Sequence, residues 1–76
     1  MTLGYVLINA EAGKERAIRD AIVGRRGIRE VHVLYGEYDI IVALEAEDAT
    51  KLAKMVVGSI RYLDGVKQTR THIAIQ

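Results

Sequence analysis

Val31-His32-Val33-Leu34-Tyr35-Gly36-Glu37-Tyr38-Asp39-Ile40-Ile41-Val42 is the stretch that decides the fold. Two runs rich in β-branched and aromatic residues flank a Gly-Glu pair, the pattern of antiparallel strands joined by a tight hairpin. Gly36 can take the positive φ that a type II′ turn requires at its first central position, so Gly36-Glu37 is read as a two-residue turn. That turn sets Tyr35 opposite Tyr38, Val33 opposite Ile40 and Val31 opposite Val42 on the face packed under helices. His32, Leu34, Asp39, Ile41 and Ala43 fall on the reverse face. Asp39 stands at the mouth of a strand whose next five residues, Ile40 to Leu44, are all apolar. Its carboxylate must be solvated or paired, because burying it alone is costly.

Outward from the hairpin, Leu3 to Asn9 reads as a first strand, apolar on both faces. Ala12-Gly13-Lys14-Glu15 opens a helix with Ala17, Ile18, Ala21 and Ile22 on one side and Lys14, Glu15, Arg16, Arg19 and Asp20 on the other. Gly24 or Gly27 ends it. Asp48 is an N-cap for a second helix, in which Ala49, Leu52, Ala53, Val56, Val57 and Ile60 form a stripe of helical period. Asp64-Gly65 is a turn, and Val66 to Ile75 make the last strand. Gly27-Ile28-Arg29-Glu30-Val31-His32-Val33 is echoed by Gly65-Val66-Lys67-Gln68-Thr69-Arg70-Thr71, so the chain reads as two βαβ halves. Two such halves with right-handed crossovers give an α+β, ferredoxin-like βαββαβ fold, strand order 4-1-3-2, with both helices on one face. Without proline, linker or low-complexity segment, residues 1–76 read as a single domain.

Composition narrows the function classes. A chain of 76 residues makes one small domain, and a domain of that size buries only roughly 60% of its unfolded surface. Yet half the residues are hydrophobic, and helices on one side leave the second apolar sheet face bare. Sheet-on-sheet packing in a homodimer is the cheapest cover. With no cysteine, neither a disulfide framework nor a Cys-based zinc site is available. The formal charge of +1, with acids and bases interspersed, offers no basic stripe for a phosphate backbone. No apolar run reaches membrane-spanning length. The opening Met1-Thr2-Leu3-Gly4 carries no basic leader, so a cytoplasmic location is expected.

Few residues suit catalysis. Asp39 and His32 share a face and His72 joins them, but no second acid stands beside Asp39, and Ser59 is alone on its helix. His32 and His72 could take a metal only with Asp39 or Glu30, at no recognised ligand spacing. Gly24-Arg25-Arg26-Gly27 fits no phosphate-binding loop and reads as a solvated turn. Neither catalysis, metal nor cofactor is therefore expected. A free amino acid is a better match for the hairpin. Asp39 can accept its ammonium group, amides around Tyr35-Gly36 its carboxylate, and Leu34 or Tyr35 can wall its side chain. The competing use of Asp39 is an ion pair with Arg70 or another base.

The opening strand Tyr5-Val6-Leu7-Ile8, the Gly-x-Tyr-Asp element at Gly36 to Asp39, and the closing Asp64-Gly65-Val66-Lys67-Gln68-Thr69-Arg70-Thr71-His72-Ile73 together carry a resemblance. They resemble the effector-binding (RAM) domain of the Lrp/AsnC transcriptional regulators, with Asp64 where that family has proline. The resemblance implies a ferredoxin-like homodimer joined sheet to sheet, then a ring of four or five dimers (an octamer or decamer) with amino-acid effectors between neighbouring dimers. It carries ligand contacts onto Tyr35, Gly36, Tyr38, Asp39, Thr69, Thr71 and His72. Met1 lies two residues before the first strand, which leaves no room for a recognition helix. The stand-alone form is therefore expected, without sequence-specific DNA binding, acting through partners such as full-length regulators of the same family. The internal repeat sets Thr69 and Thr71 toward the helices and Gln68, Arg70 and His72 on Asp39's side. Either a bulge shifts the phase of the last strand or the threonines are structural. Two rival readings stand beside the effector module: a small dimeric α+β barrel enzyme with His32 or His72 as base, and a purely structural assembly unit.

Overall fold

The computed structural model describes residues 1–75, so Gln76, the last position of the expected 1–76 domain, lies outside the described residues. The elements run β1 (Thr2–Ala10), α1 (Glu15–Ile22), β2 (Ile28–Val33), β3 (Ile40–Ala46), α2 (Ala49–Ser59) and β4 (Val66–Ile73). The four strands pair antiparallel in the order β2-β3-β1-β4, the 4-1-3-2 order read from its other edge. The α+β, ferredoxin-like βαββαβ architecture is thus the observed one.

The core follows from strand alternation. Val6 and Ile8 of β1 stand opposite Val42 and Ile40 of β3, and all four are fully buried with Leu44. They pack in one cluster with Ile18 and Ile22 of α1 and with Leu52, Val56 and Ile60 of and after α2, so both helices cover the same sheet face. Each helix is narrower on the sheet than its sequence stripe. Ala17 and Ala21 of α1 are exposed, as are Ala49, Ala53 and Val57 of α2. A methyl group is too short to reach the sheet from the flank of a helix, and two or three turns touch it through about one long residue each. Asp48 caps α2 as expected, its side chain accepting the Lys51 N–H at 2.8 Å.

The internal repeat is real in the backbone. Gly27 and Gly65 sit at corresponding helix-to-strand junctions with φ of 85° and 92°, where an L side chain is strained. A Cβ on Gly27 would strike Met55 of α2, and one on Gly65 would strike Lys14 and approach Ile18 of α1. Each half thus approaches the other half's helix through a glycine. Each strand then carries a bulge two residues on. Ile28 pairs with Leu44 and Glu30 with Ala43, so Arg29 is extra; Val66 pairs with Ala10 and Gln68 with Asn9, so Lys67 is extra.

That bulge lies ahead of the threonines and leaves them on the helix side, Thr69 opposite Ile8 and Thr71 opposite Val6. Leu3, Tyr5 and Leu7 of β1 and Ile41 and Ala43 of β3 form the centre of the reverse face, which no helix covers. Among the described residues no helix is long and apolar enough to cross a membrane.

Candidate functional site

The hairpin pairs as its alternation predicts, Val33 with Ile40 and Val31 with Val42, but its turn differs. The strands stop at Val33 and Ile40, and residues 34–39 form a longer loop closed by the Leu34 N–H donating to the Asp39 carbonyl at 2.7 Å. Gly36 has φ 159°, essentially extended, not the roughly +60° of a type II′ turn. Tyr35 is therefore not held opposite Tyr38 under the helices; it projects wholly into solvent, while Tyr38 is half-buried. Val33, also expected beneath the helices, remains 38% exposed because it ends an edge strand.

The reason for the longer loop is a set of contacts to the end of β1. The Ala10 N–H donates to Asp39 Oδ2 at 2.7 Å, the Asp39 N–H to the Ile8 carbonyl at 2.9 Å, and Asn9 Nδ2 to the Glu37 carbonyl at 2.9 Å. Asp39 is thus neither paired with Arg70 nor free: one oxygen satisfies a backbone amide that the strand edge would leave open. Among the described residues its other oxygen accepts no hydrogen bond, and it is not a fully buried atom left without a partner. The N–H groups of Tyr35 and Gly36 also have no partner among the described residues.

The expected site residues fall into two groups. Leu34, Tyr35, Gly36, Tyr38 and Asp39 are together at the hairpin tip, with Leu34 38% exposed beside it. Thr69 and Thr71 lie on the helix side of β4, half-buried and exposed respectively, while His72 is on the reverse face opposite Tyr5. Asp39 lies level with Asn9 and Gln68, so His72 is four residues further along β4, roughly 13 Å away along the strand. Within one protomer the two groups do not line one pocket. His32 and His72 sit on opposite edge strands, three strand spacings or roughly 14 Å apart across the sheet and two residues out of register along it. His32 instead hydrogen-bonds Glu30 at 2.9 Å. Among the described residues no cluster of three metal-ligating side chains occurs.

One cleft escaped the sequence reading. A cleft of about 1030 Å³ opens at the other end of the sheet, between the Arg25-Arg26-Gly27 turn, Glu45 and Glu47 beyond β3, and Met55 of α2. Its charges are largely answered: Glu45 pairs with Arg29 at 3.3 Å, Glu47 with Lys51, and Arg25 Nε donates to the Ala21 carbonyl at 2.8 Å, closing the end of α1. The doubled arginine next to two glycines was its only trace in the sequence.

Comparison with known proteins narrows the possibilities. Residues 3–76 match the family model of the Lrp/AsnC ligand binding domain. The chain is 30% identical over 76 residues to an HTH-type transcriptional regulator of Pyrococcus furiosus, covering 96% of this chain and 51% of that protein. It spans about half the length of the curated regulators it matches. A shorter likeness, 44% over 55 residues, links it to homocitrate synthase of Sulfolobus acidocaldarius, covering 72% of this chain and 12% of that enzyme. The crystal structure of FFRP-DM1 superposes with a TM-score of 0.92 at 33% identity, covering 99% of this chain and all of that one. A regulator of Neisseria meningitidis solved as an L-Met complex shares the fold, with a TM-score of 0.83 at 12% identity over 99% of this chain and 50% of that one.

Proposed function

Because this chain belongs to the Lrp/AsnC ligand binding domain family, we propose that it is an amino-acid-binding, self-assembling module that modulates transcription or amino-acid metabolism through partner proteins, without catalysis of its own. The hairpin tip carries this reading. Asp39 is fixed through one oxygen by the Ala10 amide and leaves the other without a hydrogen bond among the described residues. The N–H groups of Tyr35 and Gly36, in the same loop of residues 34–39, have no partner there either. A zwitterion needs that set, an anionic acceptor for its ammonium and two donors for its carboxylate. Tyr35, wholly exposed, supplies an apolar wall only when something closes over it.

A site completed by a neighbouring dimer in a ring of eight or ten subunits supports a role for Thr69, Thr71 and His72 from another protomer. Within the dimer, the uncovered Tyr5-Leu7-Ile41 face supports sheet-to-sheet packing. The regulator relatives favour transcriptional partners in the cytoplasm, including full-length regulators of this family, and the likeness to homocitrate synthase keeps a metabolic partner in view.

Thermal unfolding against the twenty amino acids tests the reading. An effector at 100 times its Kd adds about 2.7 kcal/mol of stability. Asp39→Asn keeps an oxygen for the Ala10 amide but loses the charge, so it retains the fold and loses that stabilisation. Stabilisation equal in wild type and Asp39→Asn removes the ammonium site, and none with any amino acid leaves a purely structural assembly module.

A further inference from the structure

Neither the effector reading nor the assembly uses the doubled arginine of the Gly24-Arg25-Arg26-Gly27 turn. Backbone bonds hold that turn: the Arg25 N–H donates to the Ile22 carbonyl at 3.1 Å, and the Ile28 N–H to the Arg25 carbonyl at 3.0 Å. The turn lines one side of the cleft described above, and Lys51, Met55 and Ser59, at i, i+4 and i+8 of α2, line another. That helical wall is roughly 12 Å long at about 1.5 Å per residue. Met55 lies over Gly27, where any β-carbon would strike it, and so gives the cleft an apolar surface next to the arginines. The charges around that surface do not cancel. Glu45 is answered by Arg29 and Glu47 by Lys51, so both acids of the cleft are paired. Arg25 closes the end of α1 through Nε, but its two terminal nitrogens have no partner among the described residues. Arg26 is exposed and makes no ion pair there at all.

Two unanswered guanidinium groups beside a methionine match a ligand that carries both an acid and an apolar group. Arginine keeps its charge and takes a carboxylate in a two-pronged fork. The unbranched thioether of Met55 moulds to varied apolar side chains. The cleft volume of about 1030 Å³ stands at the top of the range for small-molecule pockets, roughly 300–1,000 Å³. A wall of roughly 12 Å accommodates about four residues of extended chain at ~3.3 Å each. Resting on the reading that this chain works through partner proteins, we propose that the cleft docks a short acidic segment of such a partner. An Asp or Glu of that segment pairs with Arg25 and Arg26, and a neighbouring apolar side chain lies on Met55. The cleft is also well separated from the hairpin tip. Gly27 accepts the Glu45 N–H, level with Leu3, whereas Asp39 is bonded to Ile8 and Ala10 at the other end of β1. Effector and partner segment therefore do not compete for the same atoms within a protomer.

A library of random peptides displayed on phage, selected on the wild-type chain, tests the proposal. Recovered peptides should carry Asp or Glu close to Leu, Ile or Met. A synthetic copy should move the amide NMR signals of residues 24–28, 45–47 and 51–59, and should bind Arg26→Glu roughly tenfold or more weakly than wild type. Changing the peptide's own acids to Asn or Gln should weaken binding by the same order, which needs no change to the protein. Arg26→Glu should melt with wild type, since that side chain makes no ion pair in the fold. Recovered peptides without acids, equal binding to Arg26→Glu, or signal shifts centred on residues 34–39 overturn the proposal. So does a selection that yields only background, or succinate occupying the cleft where no peptide does. A failed selection beside a positive amino-acid screen removes this inference alone. Acidic peptides that bind here while no amino acid stabilises the chain leave the docking cleft standing and remove the effector site.

Discussion

Ile40 and Ile41 are neighbours in β3, yet one points into the helix-covered core with no exposed surface and the other onto a face that no helix reaches. The same contrast runs along β1, where Val6 and Ile8 are fully buried while Tyr5, between apolar neighbours, stays 38% exposed. Both faces are made of similar residues, and they differ in what lies on top. The helix face is closed within the chain, so its contribution to stability is independent of concentration. In the proposed assembly the open face gains its hydrophobic contribution only on association. Under that assembly, a chain that makes both faces apolar divides its stability between folding and association.

Substitutions on the two faces should therefore behave differently. Ile40→Ala leaves a cavity between the sheet and both helices and should cost about 2–5 kcal/mol of folding stability by chemical denaturation. Its effect should change little with protein concentration. Asp39→Ala strikes the corner where the open face meets the hairpin tip. It strips the Ala10 amide of its acceptor at a half-buried position and should cost about 1–3 kcal/mol without ligand, more than Asp39→Asn. Equal melting temperatures for Asp39→Ala and Asp39→Asn would show that the Ala10 contact contributes nothing. Asp48→Ala loosens the first turn of α2, part of the internal cover, and should cost about 1 kcal/mol with the subunit count unchanged. The smallest effect concerns nucleic acid. At a formal charge of +1, these 76 residues should show no preference for an operator over scrambled DNA at physiological salt in a mobility-shift titration.

Much of this contrast could be read before any coordinates. Period-two alternation set Val31 and Val33 with Val42 and Ile40, and the Gly27 and Gly65 echo exposed the two halves. The hairpin loop could not be read in the same way. Its length is imposed by contacts to Asn9 and Ala10, almost thirty residues upstream, in which the Asn9 and Asp39 side chains meet the Glu37 carbonyl and the Ala10 amide, backbone partners that no residue type marks in the sequence. The Arg29 and Lys67 bulges were present in the repeat as a basic residue two places after each glycine, but a bulge and a regular strand look alike in sequence. The helix stripes overstated their buried width because Ala17, Ala21, Ala49 and Ala53 share the period of the core without the reach to join it.

Sedimentation equilibrium of wild type and Ile41→Glu over a dilution series from the nanomolar to the high micromolar range tests most directly whether a second copy covers the open face. Wild type should weigh a dimer or more at micromolar concentration. Ile41→Glu should keep the wild-type circular dichroism spectrum and fall to the mass of one chain, 8.4 kDa, because the buried carboxylate has no partner in the interface. A folded Ile41→Glu chain that assembles as tightly as wild type would contradict the account.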